Sequence, residues 1–366
     1  MKNIIYFIYI SFLFCINFVI KPDYGSVIIN NELYEKPFLG GFNKPKIQWL
    51  DWNNNGIDEL FLLDEDGSIR YFEKTDLNND YNLIDTDFLD ISNISWFYIG
   101  NFDLDNNFEI ITQDSENVNQ MLLYDIIDEN LIEIGTIYTN DSVPVESNGV
   151  MTPTFCDIDN DGDLDFFTGN MIGTITFYEN IEINNNSPVF NMVTDFWEEI
   201  YIVGPSQNRH GASAITFVDI DNDNDYDLSW GDYYQQSLYI IINNGSIYES
   251  NMDNNNIIFE YPQNDPIITA GLNMPTFTDI DNDGDKDLFV TVLSGAYGYQ
   301  LKNNFYFYEN EFDSSSFILQ TSDFIQTIDL LSDVAPSFID INNDDRIDMF
   351  IGTDFDPTDF PWTGTI

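Results

Sequence analysis

The nine-residue segment Asp157-Ile158-Asp159-Asn160-Asp161-Gly162-Asp163-Leu164-Asp165 recurs, with small changes, six times along the chain. The copies begin at Asp51, Asn101, Asp157, Asp219, Asp279 and Asp340, at spacings of 50, 56, 62, 60 and 61 residues. Acidic or amide side chains recur at positions 1, 3, 5 and 9 of every copy. A loop that returns at so regular an interval belongs to a repeating structural unit.

Short β-type segments bounded by Gly, Asn, Asp or Pro surround each copy. Around the third copy these segments are 153–156, 166–169, 173–180 and 189–193. About four such segments per repeat, with no helical period, predict one four-stranded antiparallel sheet per repeat. The predicted fold class is therefore all-β, and the predicted architecture is a β-propeller with four-stranded blades.

The number of blades follows from the length of the chain. Residues 22–366 count 345, which is close to six repeats, so we predict six blades. The last repeat ends at Trp362–Ile366, before an outer strand, and we expect the segments Ser26–Asn30 and Glu32–Lys36 to complete its sheet. Seven or eight blades are the alternative if the chain is a fragment.

The repeated loop carries the chemistry of a calcium site. Ca²⁺ takes six to eight oxygen ligands at about 2.3–2.6 Å, and we expect positions 1, 3, 5 and 9 to supply side-chain oxygens and position 7 a backbone carbonyl. Position 6 must turn sharply, and Gly, Asn or Asp stands there. An EF-hand is excluded, because its Glu at position 12 and its flanking helices are both missing.

The candidate metal ligands number four per loop. They are Asp51, Asn53, Asn55 and Glu59; Asn101, Asp103, Asp105 and Glu109; Asp157, Asp159, Asp161 and Asp165; Asp219, Asp221, Asp223 and Asp227; Asp279, Asp281, Asp283 and Asp287; and Asp340, Asn342, Asp344 and Asp348. Up to six Ca²⁺ ions are therefore expected. Because ligand charge tunes affinity, we expect the third, fourth and fifth loops to bind tightest and the first loop weakest.

The formal net charge of the chain is −53. Nucleic acid and anionic membrane surfaces attract clustered Lys and Arg, so neither is an expected partner. With 43% hydrophobic and 16% aromatic residues the chain can still build a core. We expect a monomer.

Residues 1–21 have the pattern of a signal peptide or an N-terminal anchor, with Lys2 before a long apolar run. We therefore expect a secreted or cell-surface protein. Cys15 lies in that segment, which leaves Cys156 without an intramolecular disulfide partner in the remainder. We interpret Cys156 as a packed strand residue, and the metal loops as the cross-links of the fold.

The six loops resemble the FG-GAP repeat, also called VCBS, which builds the propeller of integrin alpha subunits and many secreted bacterial proteins. The segment Arg209-His210-Gly211-Ala212-Ser213 resembles secreted repeat proteins of Bacteroidetes. The resemblance implies structural calcium and a role in adhesion or in binding an extracellular protein or glycan. It implies no catalytic residue.

Two functional hypotheses remain open at this point. The first is an adhesion or ligand-binding module, in which Trp197, Trp230, Tyr233, Tyr234 and Tyr297 either stack on sugars or pack in the blades. The second is a carbohydrate-active enzyme, a polysaccharide lyase or hydrolase on a propeller scaffold. His210 is the only histidine, and a polar structural role is the simpler interpretation of it.

Overall fold

The computed structural model describes residues 25, 27–29, 31–34, 36–75, 80–147, 152–170, 172–201, 214–232, 235–263, 265–293, 302–311, 316–330 and 334–352. The chain divides into two units, one formed by Met1–Gly40 with Gln326–Ile328 and the other by Gly41–Ile325 with Asp329–Ile366. In the first unit, strands β1 (Val27–Ile29) and β2 (Glu32–Tyr34) form an antiparallel pair. The second unit contains the six metal-loop repeats.

Five of the six repeats fold into propeller blades, each an antiparallel sheet whose strands pair mainly in chain order. The first two blades have four strands each. Blade 1 is β3 (Lys46–Leu50), β4 (Glu59–Leu63), β5 (Ile69–Thr75) and β6 (Asp80–Asp85). Blade 2 is β7 (Phe97–Gly100), β8 (Glu109–Gln113), β9 (Met121–Ile127) and β10 (Asn130–Thr136).

Blades 3 to 5 vary in the number of strands. Blade 3 adds the short strand β11 (Tyr138–Thr139), in parallel, to β12 (Thr154–Cys156), β13 (Asp165–Gly169), β14 (Ile175–Ile183) and β15 (Pro188–Thr194). Blade 4 has β16 (Ala214–Val218), β17 (Asp227–Gly231) and β18 (Tyr239–Ile241). Blade 5 has β19 (Asn273–Thr278), β20 (Asp287–Val292), β21 (Phe305–Glu311) and β22 (Ser316–Thr321). In the part of the chain that the structure describes, the 3₁₀ turns are Phe88–Asp90, Trp197–Glu199 and Asn254–Asn256.

The second strand of each blade is buried along its whole length. A propeller sheet packs against a neighbouring blade on each face, so its central strands have no solvated side. This explains the nearly continuous apolar run Glu59–Leu63 and its counterpart Asp287–Val292, where a half-buried strand would alternate polar and apolar residues.

Each of the following contacts between consecutive blades involves the first strand of at least one of the two blades. Gln48 of blade 1 donates to the carbonyl of Ile99 in blade 2 at 2.5 Å and accepts from the same residue at 2.8 Å. The Tyr98 hydroxyl donates to the Phe155 carbonyl of blade 3 at 3.2 Å. Blades 3 and 4 meet where the rings of Phe167 and Phe217 lie 4.6 Å apart. In blade 5, the side-chain amide of Asn273 donates to the Ser237 carbonyl, beside β18, at 3.0 Å.

The ring closes between blade 5 and blade 1, so the propeller has five blades. The Trp49 ring of β3 lies 4.6 Å from the Phe289 ring of β20. The hydroxyl of Thr278 donates to a carboxylate oxygen of Asp58 at 2.5 Å. The prediction of a propeller is confirmed, and the prediction of six blades is wrong, because β19 and β3 fill the last interface before the sixth repeat begins.

The sixth repeat forms a two-stranded hairpin with exposed side chains, made of β23 (Ala335–Ile339) and β24 (Asp348–Gly352). Phe338 is 65% exposed and Ile347 69% exposed, whereas the second strands of the five blades are buried. Since β1 and β2 pair with each other in a separate sheet, the prediction that segments 26–30 and 32–36 complete the last sheet is also wrong.

The first strands of the five blades enclose one central cavity of about 350 Å³. Residues of β3, β7, β12, β16 and β19 line it, which places these strands innermost in the ring. In the described part of the chain, no helix is long and apolar enough to cross a membrane. Several residues of the sequence predictions lie outside the described part of the chain. They are residues 1–21, Arg209–Ser213 with His210, Tyr233, Tyr234, Tyr297 and Trp362–Ile366.

Candidate metal centres

Each acidic loop connects the first strand of its repeat to the second strand. In blade 5, for example, the loop runs from the end of β19 at Thr278 to the start of β20 at Asp287. In all five blades of the ring the loop follows the strand that lines the central cavity and leads into the buried second strand.

Hydrogen bonds within each loop hold the predicted ligands in place. The carboxylate of position 1 accepts the backbone N–H groups of positions 5 and 6, as Asp279 does from Asp283 at 3.1 Å and from Gly284 at 3.1 Å. Position 5 accepts from the N–H of position 7, as Asp283 does from Asp285 at 3.1 Å. The same bonds to position 1 recur in the first, third, fourth and sixth loops. These hydrogen bonds therefore hold the predicted ligand side chains on the inner side of the turn.

Two positions of the loop adopt a left-handed backbone. Position 6 does so in five of the six loops, for example at Gly162 with φ +101° and at Gly284 with φ +103°. Asn106 of the second loop has no positive φ, so the predicted sharp turn at position 6 is wrong for that loop. Position 4 has a positive φ in all six loops, and Asn occupies it in five of them. The sequence prediction overlooked position 4, although the recurring Asn was its signal, because Asn tolerates this region best among non-glycine residues.

Four loops bring three acidic side chains together, with ligand oxygens within 4.8 Å of one another. The triads are Asp103, Asp105 and Glu109; Asp157, Asp159 and Asp161; Asp219, Asp221 and Asp227; and Asp279, Asp281 and Asp287. Every member stands at one of the predicted positions 1, 3, 5 and 9. Hard oxygen ligands at this spacing can hold a metal ion.

Position 9 is anchored to two separate parts of its blade. The carboxylate of Asp287 accepts the N–H of Ile280 at 3.1 Å, within the loop, and the N–H of Asn310 on β21 at 2.9 Å. Asp227 makes the same pair of bonds in blade 4, to Ile220 and Asn243, each at 2.8 Å. The asparagine that follows in the chain thus fixes the loop to the rest of the blade, a role that sequence reasoning missed.

The side chain of that asparagine gives further support. The side-chain amide of Asn310 donates to the carbonyl of Lys286, position 8 of the loop, at 3.2 Å, and Asn243 donates to Tyr226 at 3.3 Å. Asn180 occupies the same place in blade 3 and donates its backbone N–H to Asp165 at 2.8 Å. The signal was in the sequence, since Glu-Asn follows an aromatic pair in both β14 and β21.

Burial strongly perturbs the carboxylates of position 9. It raises the pKa of Asp165 to about 8 and the pKa of Asp227, Asp287 and Glu109 to about 7, and the neighbouring acids of each loop push in the same direction. Backbone N–H donors work against this shift without reversing it. A carboxylate in such surroundings is stabilised in its ionised form by a bound cation.

Several carboxylate oxygens of the loops are buried and have no hydrogen-bond partner among the described residues. They are Oε1 of Glu109, Oδ1 of Asp159, Oδ1 of Asp163, Oδ2 of Asp165, Oδ1 of Asp225 and both oxygens of Asp285. Buried polar groups in proteins are almost always paired. Three of these acids, Asp163, Asp225 and Asp285, stand at position 7, from which only a backbone ligand was expected.

The first and sixth loops differ from the other four. In the first loop the only predicted acidic ligands are Asp51 and Glu59, and the amide of Asn53 already donates to Glu59 at 2.6 Å. In the sixth loop the predicted acidic ligands are Asp340, Asp344 and Asp348. Among the described residues, their oxygens do not come together in a triad like those of the other four loops. The amide of Asn342 donates there to Asp344 at 3.1 Å.

Two of the proposed sugar-stacking residues belong to the core. Trp197 is 5% exposed, and Trp230 is fully buried with its ring stacked 5.1 Å from Tyr239. Their packing interpretation is therefore correct and the stacking one is wrong. Cys156 lies buried on β12, as expected, and burial raises the pKa of its thiol.

No family model and no curated protein matches the chain. Among solved structures, the chain is similar to a lectin of Agrocybe aegerita, described as recognising non-reducing terminal N-acetylglucosamine. The sequence identity is 16% and the TM-score 0.34, over 77% of this chain and 67% of the lectin chain. So low a score supports no inference about function.

Proposed function

We propose that the chain is an extracellular, calcium-binding β-propeller of the FG-GAP/VCBS type that binds a protein or glycan ligand. Calcium is structural in this proposal: it occupies the blade loops and stiffens the ring, and the ligand binds elsewhere. The ring supplies up to four strong sites, in the second to fifth loops, and weaker binding is expected at the first and sixth loops.

The observation that carries the proposal is the set of buried loop carboxylates without partners. Both oxygens of Asp285 and one oxygen each of Glu109 and Asp165 are buried, and each of these residues belongs to one of the acidic loops. An ionised carboxylate buried without a partner is very unfavourable. A cation between these oxygens would remove that cost, because it is small enough to be enclosed by its ligands.

The ligand chemistry favours Ca²⁺ over other cations. The donors in the loops are carboxylate, amide and carbonyl oxygens, with neither His nor Cys among them. Oxygen-only donors suit Ca²⁺, Mg²⁺ and Mn²⁺. Mg²⁺ needs near-ideal octahedral geometry at about 2.0–2.1 Å and usually keeps several waters beside one or two carboxylates, whereas these loops offer three or more carboxylates each.

The proposed location is consistent with this chemistry. Residues 1–21 have the pattern of an export signal or an anchor, and calcium sites of extracellular modules function with dissociation constants as weak as about 10⁻⁴–10⁻³ M. Because the chain offers no disulfide among its described residues, bound ions would serve as its cross-links.

The test is calorimetric titration of chelator-stripped protein with CaCl₂, in parallel with thermal melting in Ca²⁺, in Mg²⁺ and in EDTA. A ligand that binds only the native state stabilises it by about 2.7 kcal/mol when its concentration is about 100 times the dissociation constant. We therefore expect several binding events and a large upward shift of the melting temperature in millimolar Ca²⁺, with a smaller shift in Mg²⁺. An unchanged melting temperature in Ca²⁺ would refute the proposal.

A further inference from the structure

Lys46 is the first residue of β3, and it lines the central cavity of the ring. Among the described residues of the cavity wall it is the only cation, in a chain with only 11 Lys and Arg residues against 64 acids. The metal loop follows the other end of β3, at Asp51. Lys46 therefore lies at the end of β3 opposite to the calcium loop of its own blade.

The ammonium group of Lys46 has no hydrogen bond or ion pair with any described residue. The two nearest acids are engaged elsewhere: Asp64 accepts the N–H of Lys44 at 2.9 Å, and Glu65 pairs with the Lys44 side chain at 2.5 Å. Burial lowers the pKa of Lys46 to about 8, although Asp64 and Glu65 act to raise it. Lys46 is half-buried, so its ammonium loses part of its hydration without gaining an ionic partner, which is unfavourable.

Apart from the carboxylate of Asp157, the rest of the wall is neutral and combines aromatic side chains with hydroxyl groups. Four aromatic side chains on it, Trp49, Tyr98, Phe217 and Phe277, are partly exposed. Its hydroxyl-bearing residues are five threonines and two tyrosines: Thr152, Thr154, Thr216, Thr276, Thr291, Tyr98 and Tyr226. Aromatic walls with a few polar groups are typical of small-molecule sites, which span about 300–1,000 Å³.

We infer that the central cavity binds a small hydroxylated carboxylic acid, of the size of one hexuronic acid residue, whose carboxylate pairs with Lys46. The cavity of about 350 Å³ is large enough for one sugar ring and small for a longer ligand. Hydroxyl groups of the ligand would meet the threonines, and its ring would pack on an aromatic face. The inference gives a ligand class to the binding role proposed above and rests on it.

Other charged and titratable groups near the site act on the same equilibrium. Around Lys46 they are Asp64, Glu65 and Lys44, and on the cavity wall they are Asp157, Cys156, Tyr98 and Tyr226. Asp157 is a proposed metal ligand, so bound calcium would offset its repulsion of an anion. Binding should weaken as the pH rises above about 8, because the ammonium that pairs with the carboxylate then loses its proton.

The experiment uses the full chain loaded with Ca²⁺ and two probes, D-glucuronate and D-glucose, which differ only in the carboxylate. Affinities are measured by ligand-observed NMR titration. We expect D-glucuronate to bind at least about tenfold more tightly than D-glucose, since a charge-assisted hydrogen bond contributes that much or more. Lys46→Met should remove this preference, and Lys46→Arg should retain it.

Lys44→Met is the matched control. Lys44 lies two residues away, is 41% exposed and does not line the cavity, so its loss changes the net charge equally without touching the site. Three results would each overturn the inference. They are equal affinity for the two sugars, no binding of either sugar, and an equal loss of the D-glucuronate preference in Lys44→Met and Lys46→Met. The calcium-dependent shift in melting temperature, measured on the same samples, separates this failure from failure of the calcium proposal.

Discussion

Replacing Asp287 by asparagine tests the link between metal, loop and sheet. Asp287 is 1% exposed, and its two oxygens accept the N–H groups of Ile280 at 3.1 Å and Asn310 at 2.9 Å. It also belongs to the triad with Asp279 and Asp281. The asparagine side chain would keep one oxygen and turn an NH₂ group toward the other donor, so one charge-assisted hydrogen bond and one unit of ligand charge are lost together.

The two losses have separable sizes. A hydrogen bond to a charged group contributes about 1.5–3 kcal/mol, and a tenfold to hundredfold weaker calcium site lowers stability by a further ~1.4–2.8 kcal/mol. In millimolar Ca²⁺ we therefore expect Asp287→Asn to lower the free energy of unfolding by roughly 3–6 kcal/mol. In EDTA the cost should be clearly smaller, because burial already disfavours the ionised Asp287 and raises its pKa to about 7.

The assay is urea unfolding followed by tryptophan fluorescence, with and without Ca²⁺, and calorimetric titration of the same variant. Asp348→Asn is the matched control. Asp348 holds position 9 of the sixth loop and accepts the N–H of Ile341 at 3.0 Å, but it lies in the exposed hairpin and in no acidic triad of the described residues. A loss of stability in Asp287→Asn that is the same in Ca²⁺ and EDTA, or one that Asp348→Asn reproduces, would refute the reasoning.

Three further predictions concern pH, the sixth repeat and ring closure. Metal-free protein should lose stability as the pH rises from about 4 to about 8, because the folded state holds protons on position-9 carboxylates that the unfolded state releases. Bound Ca²⁺ should abolish this loss. Urea unfolding midpoints measured across that pH range check both expectations. Deleting residues 334–366 should leave the melting temperature within a few degrees of the full chain, since β19 and β3 close the ring without the hairpin. Trp49→Ala should cost about 3–5 kcal/mol in urea unfolding, because its ring fills the interface with Phe289.

Each of these predictions has a clear contrary outcome. Stability of the metal-free protein that rises between pH 4 and pH 8 would contradict the role given to burial. Aggregation or unfolding of the shortened chain would mean that the hairpin supports the ring. For Trp49→Ala the control is Tyr248→Ala, an aromatic side chain that is 66% exposed, and an equal effect of the two substitutions would argue against Trp49 as the closing residue.

Much of the metal loop was predictable because its geometry is local. Position 1 bonds to positions 5 and 6, and position 5 bonds to position 7, so all the partners lie within nine residues. The asparagine that anchors position 9 was not recognised in the same way: Asn310 lies 23 residues beyond Asp287, and only the pairing of β20 with β21 brings them together. The burial of the side chains at position 7, such as Asp285, was not predictable for the same reason, because it depends on how the blade packs.

The sequence by itself determined the repeat, the all-β character and the metal-ligand positions, because period, turn chemistry and ligand spacing are properties of short segments. Only the tertiary structure decided the number of blades and the position of the sixth repeat. Closure depends on whether the side chains of two distant strands fill one interface, and Trp49 and Phe289 do so although 240 residues separate them. Neither the number of repeats nor their spacing contains that information.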